Sequence, residues 1–217
     1  MKPELPLVFY HAPNTRSTGV MLLLEELGAP YSLQLLNVKR GEHKARAYLD
    51  VNPLGKVPAI RHGTALVTEQ VAIYIYLADL FPAAGLAPPI GDPLRGPYLR
   101  WLAFYGSCFE PAIIDRQQKR EPTPPSMSPY GSFDGMFAAL TDQLRQGECM
   151  LGERFYALDE LWGTALGWML SFALVPKLPL IVNYVARVNA RPAIIRAREK
   201  DAALAGAQSP SPQAPGN

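Results

Sequence analysis

Cysteine is scarce in this chain of 217 residues, which contains only Cys108 and Cys149. The two do not form a C-x-x-C pair and no histidine lies near either of them in sequence. The pattern therefore supports neither a zinc site nor a dithiol redox centre, and we expect no bound metal. We interpret both residues as buried free thiols of a reducing cytosol.

An excess of charge is also missing, since 21 Lys and Arg face 19 Asp and Glu for a formal net charge of +2. This balance predicts neither a nucleic-acid surface nor an acidic tail. Long apolar runs are absent too, so no segment reaches the length of a membrane span. The first six residues, with Lys2, Glu4 and two prolines, are not typical of a signal peptide. We therefore expect a cytoplasmic protein that contacts neither nucleic acid nor membrane.

Strand and helix patterns alternate in the first 81 residues and predict the order βαβ-ββα. N-cap residues precede the first helix and Gly28 ends it, whereas Phe81-Pro82 ends the second. The predicted elements are a strand over 5–10, a helix over 20–28, a strand over 31–38, a hairpin of 59–60 with 65–67, and a helix over 69–81.

Beyond residue 82 the strand patterns stop. Residues 83–97 are rich in proline and glycine, so we predict a linker there and an all-helical domain after it. Proline density makes 121–129 a loop, and 205–217 is a tail whose composition predicts disorder. The predicted helices cover 98–115 with an interruption at Pro111, then 133–146, 159–174 as the buried central helix, 180–189 and 192–204.

One stretch of the first half, Asn52-Pro53-Leu54-Gly55-Lys56-Val57-Pro58-Ala59-Ile60, has a distinctive pattern. The chain should turn at Asn52-Pro53 and then extend into a strand headed by Pro58. Because proline has no N–H and a fixed φ, such a strand presents the backbone of Val57 at the sheet edge. An extended peptide could pair with that backbone.

Polar residues cluster at two helix starts. Asn14-Thr15-Arg16-Ser17-Thr18 opens the first helix, where free N–H groups and hydroxyls favour an anion and could lower the pKa of a thiol. The alternative is that these residues are only caps. Glu69-Gln70 opens the second helix and could hold an amino-acid head group, while Lys56, His43 and Lys44 could hold a second carboxylate. The alternative for these cations is a solvated surface.

Asn52–Ala59 together with Thr68-Glu69-Gln70-Val71-Ala72-Ile73 closely resembles the glutathione-binding signature of the cytosolic glutathione S-transferases of the bacterial type. Gly152–Asp159 and Asn189–Pro192 are similar to two segments of their helical domain. The resemblance implies a thioredoxin-like α/β domain at 1–82 and, after the linker, an all-helical domain at 98–204 that holds an electrophile pocket.

The resemblance also implies roles for individual residues. Val57, before a cis Pro58, would pair with the cysteinyl part of glutathione. Glu69 and Gln70 would bind the γ-glutamyl head, and Lys56 with His43 the glycyl carboxylate. The residue that activates the thiol would be Ser17, then Thr15, then Tyr10, with Asn14 a further competitor for the place in the first turn. We predict that Tyr105, Cys108, Trp168 and Phe172 line the electrophile pocket.

The function implied is a homodimeric glutathione transferase of detoxification, which activates the glutathione thiol for attack on a small hydrophobic electrophile. Glutathione-dependent peroxide or disulfide reduction is an alternative, and so is a non-catalytic glutathione-binding or regulatory protein. Two departures from the family pattern stand out: Gln70 replaces the usual Ser, and Tyr156 stands where a Ser or Thr usually caps the buried helix.

Overall fold

The computed structural model describes residues 5–121 and 123–208, which fall into two compact units. The first unit comprises residues 5–73 together with the C-terminal helix, and the second is Tyr74–Arg191. Of the tail predicted to be disordered, 205–208 is helical, and 209–217 lies outside the described residues.

A mixed sheet organises the first unit. Within the described residues it has four strands in the order β2-β1-β3-β4, with β1 parallel to β2 and antiparallel to β3, and β3 antiparallel to β4. The strands are β1 Leu7–His11, β2 Ser32–Leu35, β3 Ala59–His62 and β4 Ala65–Thr68. The predicted thioredoxin-like βαβ-ββα order is confirmed.

The helices of this unit follow the predicted order. β2 is shorter than expected, because Asn37 begins a tight turn in which its side chain accepts the N–H of Arg40 and its own N–H donates to Glu42. The elements are α1 Ser17–Leu27, two 3₁₀ turns at Val38–Arg40 and Glu42–Lys44, α2 Arg46–Leu49 and α3 Gln70–Leu80, which begins in this unit. α1 ends at Gly28, whose left-handed φ of 61° suits glycine.

The last helix, α9 (Pro192–Gln208), differs from its predicted place in the helical domain 98–204. It packs against α1 and belongs to the first unit. The physical reason lies in α1, where Val20 to Leu24 are apolar without interruption and fully buried. A helix that is apolar all round must be covered on more than one side. α9 supplies cover through Ile194 and Ala197, which are also fully buried.

The second unit is helical, as predicted. Pro111 is the second residue of a helix, where its missing N–H costs no intrahelical bond. The interruption predicted at Pro111 is a π-helical turn that lies just before this helix. The elements are α4 Arg95–Phe104, the π-turn Tyr105–Phe109, α5 Glu110–Gln117, α6 Phe133–Leu144, α7 Ala157–Ser171 and α8 Pro179–Asn189. A linker at 83–97 stays a prediction.

Aromatic rings form the core of this unit. The ring centroid of Trp162 lies 6.1 Å from that of Trp101 and 4.9 Å from that of Phe109. The indole N–H of Trp162 donates to the carbonyl of Trp101 over 3.2 Å. The first ten residues of α7 are buried, as expected for the central helix. Across 5–121 and 123–208, no helix combines the length and apolarity needed to cross a membrane.

Asp159 organises the start of α7. Its carboxylate accepts the N–H of Tyr156 at 2.9 Å, the N–H of Met150 at 2.6 Å and the hydroxyl of Tyr184 at 2.9 Å. Asp159 thus makes the half of a capping box that belongs to the third helical residue, by accepting the N–H of Tyr156 before the helix. Burial raises the pKa of Asp159, although these hydrogen bonds oppose the shift.

We predict that Asp159→Ala lowers the free energy of unfolding by about 3 kcal/mol, because it leaves two backbone N–H groups buried without an acceptor. The Tyr184 hydroxyl keeps only its longer contact of 3.3 Å with the backbone carbonyl of residue 159. Chemical denaturation measures the change. Asp142→Ala is the control, since that carboxylate is exposed and pairs with the exposed side chain of Arg145. Equal stability of the two variants would contradict the role assigned to Asp159.

Candidate functional site

The loop before β3 is held by hydrogen bonds to a single carbonyl. The oxygen of Lys56 accepts the hydroxyl of Tyr48 at 2.6 Å and the side-chain amide of Asn52 at 2.9 Å. The other end of the Asn52 amide accepts the N–H of Leu54 at 3.1 Å, which closes the predicted turn. These bonds fix the backbone immediately before Val57.

Val57 presents its backbone as the sequence predicts. The Val57–Pro58 bond is cis. The side chain of Val57 packs against a small apolar cluster of Tyr48, Val51 and Ala59. No described residue hydrogen-bonds to the N–H or C=O of Val57. A donor and an acceptor of the main chain are therefore open to an extended ligand.

His43 and Lys44 lie against the same loop. Lys44 donates from Nζ to the carbonyl of Leu54 at 3.1 Å, so it braces the loop. The Nδ1 atom of His43 is buried and has no hydrogen-bond partner in the part of the chain that the structure describes. Lys56 is exposed. The His43 carbonyl lies beside Gly55 and Lys44 reaches Leu54, so the fold places the predicted set of His43, Lys44 and Lys56 at one loop.

Glu69 and Gln70 stand where β4 passes into α3. Glu69 is exposed and has a left-handed φ of 64°, an uncommon conformation for a residue with a side chain. The Gln70 side-chain N–H donates to the carbonyl of Arg16 at 3.4 Å. This contact brings the start of α3 to the first turn of α1. The two helix starts that the sequence singled out therefore meet.

Ser17, the first choice as activating residue, is fully buried. Its Oγ atom lies 2.8 Å from His11 Nδ1 and 2.7 Å from Thr15 Oγ1, accepts the N–H of Ala12 at 3.1 Å and donates to the Ala12 carbonyl at 3.0 Å. All neighbours of its hydroxyl are protein groups below the surface of the first turn. A ligand therefore cannot contact this hydroxyl in this arrangement.

Thr15, the second choice, occupies the outer side of that turn. It is partly exposed, and its hydroxyl donates to the Ala12 carbonyl at 2.7 Å and accepts the N–H of Ser17 at 3.2 Å. Asn14 is exposed beside it, with a left-handed φ of 57°. Thr15 therefore connects the buried hydroxyl of Ser17 to the surface.

Tyr10, the third choice, lies on the opposite face of the sheet from His11, because successive side chains of a strand alternate. Its ring centroid is 5.7 Å from that of Tyr48. Like Val57, Tyr10 packs against the apolar cluster of Tyr48, Val51 and Ala59. Burial, and then the neighbouring Tyr10, raise the pKa of Tyr48 to about 12. Tyr10 thus borders the loop that carries Val57.

Sequence reasoning missed two residues beside this turn, His11 and Asp201. Nε2 of His11 lies 2.9 Å from Oδ1 of Asp201, which is the length of an ion pair, without the alignment of a hydrogen bond. The other oxygen of Asp201 accepts the N–H of Asn14 at 3.2 Å and the hydroxyl of Thr18 at 3.1 Å. A single His at a strand end and a single Asp in the last helix match no sequence motif, so the sequence contains no signal that identifies them.

The pKa of Asp201 is lowered below its usual range. Burial alone would raise it, but the contact with His11, the N–H of Asn14 and the Thr18 hydroxyl together favour the carboxylate and outweigh burial. Asp201 is therefore ionised at neutral pH, and its negative charge sits inside the first unit.

The four residues predicted for the electrophile pocket occupy two places in the second unit. Tyr105 and Cys108 belong to the π-turn, where Tyr105 is buried with its ring centroid 5.6 Å from that of Trp162, and Cys108 is partly exposed. Trp168 and Phe172 pair at the end of α7, with ring centroids 6.0 Å apart and Phe172 64% exposed. Tyr105 is thus a core residue, whereas Phe172 is open to a ligand.

A groove of about 570 Å³ marks another face of the second unit, and its lining includes Leu94, Pro97, Arg100, Trp101 and Leu151. None of the four predicted pocket residues lines it. Metal-binding groups of three or more His, Cys, Asp or Glu do not occur in 5–121 and 123–208.

Comparisons with known proteins agree on one family. Residues 5–79 match the family model described as "Glutathione S-transferase, N-terminal domain". A curated Escherichia coli O157:H7 protein, glutathione S-transferase GstA, is 25% identical over 189 residues, which cover 85% of this chain and 94% of that protein. The match to human glutathione S-transferase theta-2 is 28% identical over 46% of this chain, but spans only 41% of that relative's length.

Solved structures give the same result over almost the whole chain. A glutathione transferase from Methylococcus capsulatus str. Bath is 28% identical, with a TM-score of 0.75 over 91% of this chain and 99% of that one. A sphingomonad glutathione S-transferase, solved in complex with glutathione, is 27% identical, with a TM-score of 0.70 over 90% of this chain and 98% of that one.

We predict that Gly55→Ala destabilises the first unit more than Gly41→Ala. Both glycines have left-handed backbones, so each substitution costs about 1 kcal/mol through strain. At Gly55 the added Cβ would also stand 2.7 Å from the carbonyl oxygen of His43, whereas at Gly41 it meets nothing within 4 Å. Denaturation curves of the two variants test this. Equal losses in the free energy of unfolding would show that the added Cβ at residue 55 does not clash with the His43 carbonyl.

A second prediction concerns Asp201 and pH. Because its folded pKa is lowered, its stabilising contribution is present above the ordinary Asp value of about 3.9 and is lost as pH falls through the folded value. Asp201→Asn should therefore cost about 2 kcal/mol of unfolding free energy at neutral pH and progressively less below pH about 4. Asp50→Asn, at an exposed carboxylate, is the control. A cost that stays constant with pH would contradict the charged role of Asp201.

Proposed function

We propose that the chain, whose residues 5–79 match the N-terminal domain model of the glutathione S-transferases, is a member of that family. It binds glutathione in its first unit and activates the thiol for attack on a small hydrophobic electrophile. One observation carries the proposal. The open backbone of Val57, the start of α3 at Glu69-Gln70 and the first turn of α1 lie in one compact unit, and Gln70 joins the two helix starts.

The polarity of these groups matches the parts of glutathione. Val57 offers one N–H and one C=O to the cysteinyl residue, as a neighbouring strand would. Glu69 can accept from the ammonium of the γ-glutamyl head, and Gln70 with the N-terminus of α3 can bind its carboxylate. Lys56 and His43 are the residues that can donate to the glycyl carboxylate. The sphingomonad neighbour solved with glutathione supports the choice of ligand.

Thr15 is the group that we propose touches the sulfur. Ser17 is fully buried behind it, and the ring of Tyr10 packs against Tyr48, whereas Thr15 is partly exposed at the helix start. Thr15 donates to the Ala12 carbonyl at 2.7 Å, and on glutathione binding it would turn this proton to the thiolate. Such a bond, beside the positive end of a helix dipole, lowers the thiol pKa. Ser17 then supports the hydroxyl of Thr15 from inside over 2.7 Å.

The chemistry follows from a stabilised thiolate. The thiol proton leaves to solvent, and the sulfur donates an electron pair to the electrophilic carbon. A carbon–sulfur bond forms, and the leaving group departs with the pair that bound it. In the second unit, Trp168 and the exposed Phe172 provide apolar surface for the electrophile, with Cys108 a further partly exposed candidate.

We also propose that the protein acts as a cytoplasmic homodimer in detoxification. The resemblance to the family supports this assembly, and sedimentation over a range of concentrations tests it. A monomer at every concentration would contradict the proposed homodimer. It would not bear on the proposed glutathione site.

We predict that Thr15→Val weakens thiolate stabilisation about 10- to 100-fold, because a hydrogen bond to a charged group is worth about 1.5–3 kcal/mol. The thiolate absorbance of bound glutathione, followed against pH, measures this directly. Turnover of chlorodinitrobenzene should fall in parallel, while the KM for glutathione changes little.

Variants at the competing positions complete this experiment. Tyr10→Phe should leave the titration of the bound thiol in place, since it keeps the ring that packs against Tyr48 and removes only a hydroxyl to which we assign no contact with the sulfur. An effect confined to Tyr10→Phe or to Asn14→Ala would transfer the role to that residue. A wild-type protein that binds no glutathione in calorimetry would overturn the proposed function.

A further inference from the structure

The groove of about 570 Å³ in the second unit combines apolar walls with a positive charge. It is lined by the start of α4, the end of α6 and the turn after α6, and no Asp or Glu occurs among its described lining residues. Arg100 is the charged residue of that lining. All of these groups belong to the second unit, whereas the groups proposed to bind glutathione belong to the first. The function proposed above therefore assigns this groove no ligand.

Arg100 lies over an aromatic ring and keeps its hydrogen-bond donors unused. Its guanidinium carbon is 4.4 Å from the centre of the Trp101 ring and 5.9 Å from that of Phe104. Among the described residues it pairs with no carboxylate and donates to no carbonyl. Arg95 on the same helix shows the alternative, since its guanidinium donates to both carboxylate oxygens of Asp79, at 2.8 and 2.7 Å. Arg100 therefore offers an open planar guanidinium, the group that binds carboxylates through two parallel hydrogen bonds.

Two neutral donors belong to the same lining. Gly96 stands four positions before Arg100, so the two share one face of α4. The N–H of Gly96 has no acceptor in the described part of the chain, and a Cβ added there would meet nothing within 4 Å. On α6, Gln143 Nε2 donates to the Met150 carbonyl at 2.6 Å and to Gln146 Oε1 at 3.3 Å. The amide oxygen of Gln146 is thus used, and its Nε2 is the end left to donate. Together with Arg100, these donors favour an anion.

Apolar side chains form the rest of the groove. Leu94 is 39% exposed, Pro97 is exposed, and Leu151 is half-buried in the turn after α6. That turn is closed by two backbone hydrogen bonds between Cys149 and Gly152, with N···O distances of 2.7 and 3.2 Å. The wall that carries Leu151 is therefore fixed before a ligand arrives. An inorganic anion would leave this apolar surface in contact with water, so the ligand that fits has an apolar body as well as a charge.

We propose that the groove binds an apolar monocarboxylate. Its carboxylate pairs with the guanidinium of Arg100, and its body covers Leu94, Pro97 and Leu151. The volume of the groove lies within the range of about 300–1,000 Å³ that is usual for small-molecule sites, so a body of two fused aromatic rings has room. One cation without an acidic neighbour matches one negative charge. The proposal goes beyond the glutathione chemistry and does not depend on it.

Calorimetry with 2-naphthoate as the probe tests the site. Because Arg100 is exposed, we expect a weak complex with a Kd on the order of 10⁻⁴ M. 2-Naphthamide has the same rings without the charge and should bind about 10- to 100-fold more weakly, since it loses the hydrogen bonds to a charged group. Equal binding of 2-naphthoate and 2-naphthamide would overturn the proposal. So would the absence of 2-naphthoate binding at a concentration tenfold above the expected Kd.

Two variants locate the probe. Arg100→Met keeps an unbranched side chain beside Trp101 and removes the charge, so the affinity for 2-naphthoate should fall to that of 2-naphthamide. Gln146→Glu places a carboxylate in the lining at an exposed position and should weaken binding as much through repulsion, with Arg100 intact. Arg116→Met is the matched control and should bind like wild type. Its guanidinium also lies over a ring, 4.1 Å from the centre of Phe133, but does not line the groove.

The same titrations separate this groove from the proposed glutathione site. Saturating glutathione should leave the binding of 2-naphthoate unchanged, because the two sites share no residue. Displacement of the probe by glutathione, or wild-type affinity in both Arg100→Met and Gln146→Glu, would place the probe elsewhere and overturn the proposal. If Arg100→Met does not fold, Gln146→Glu decides. A protein that binds 2-naphthoate in this way but binds no glutathione would lose the proposed function and keep this inference.

Discussion

The carboxylate of Asp201 holds together the first turn of α1, where we propose that the chemistry takes place. It is ionised inside the first unit because it meets His11, the N–H of Asn14 and the hydroxyl of Thr18. These partners belong to the end of β1 and the start of α1, whereas Asp201 belongs to α9. A buried charge is tolerated only where such partners surround it, so strand, turn and helix constrain one another. The packing of α9 on the apolar residues of α1 is what delivers the charge to that place.

We propose that binding and activation use different groups of the same unit. The loop before β3 is fixed by hydrogen bonds to the Lys56 carbonyl, which leaves the backbone of Val57 available for an extended ligand. The first turn of α1 uses hydroxyls that support each other from the buried Ser17 outward to Thr15. Gln70 joins the two parts through the Arg16 carbonyl. This separation explains why we expect changes behind the turn to affect the thiol more than the affinity for glutathione.

Local signals carried most of what could be predicted from the sequence. Gly28 ends α1, the turn at Asn52 leads into β3, and the caps before α1 mark a helix start, since each depends on neighbours a few residues away. Side-chain burial was less accessible: the hydroxyls of Thr15 and Ser17 look alike in sequence, and only the fold shows that one is enclosed. The pairing of His11 with Asp201 could not be predicted, because it is a contact between residues 190 positions apart in the sequence. The place of α9 was missed for the same reason.

The central claim is that the glutathione sulfur lies at the first turn of α1, against Thr15. A crystal structure of the protein with glutathione bound tests it most directly. The account predicts that the sulfur is within about 3.5 Å of Thr15 Oγ1, with the cysteinyl backbone paired to Val57. A sulfur that instead contacts the Tyr10 hydroxyl, on the other face of the sheet, would contradict it.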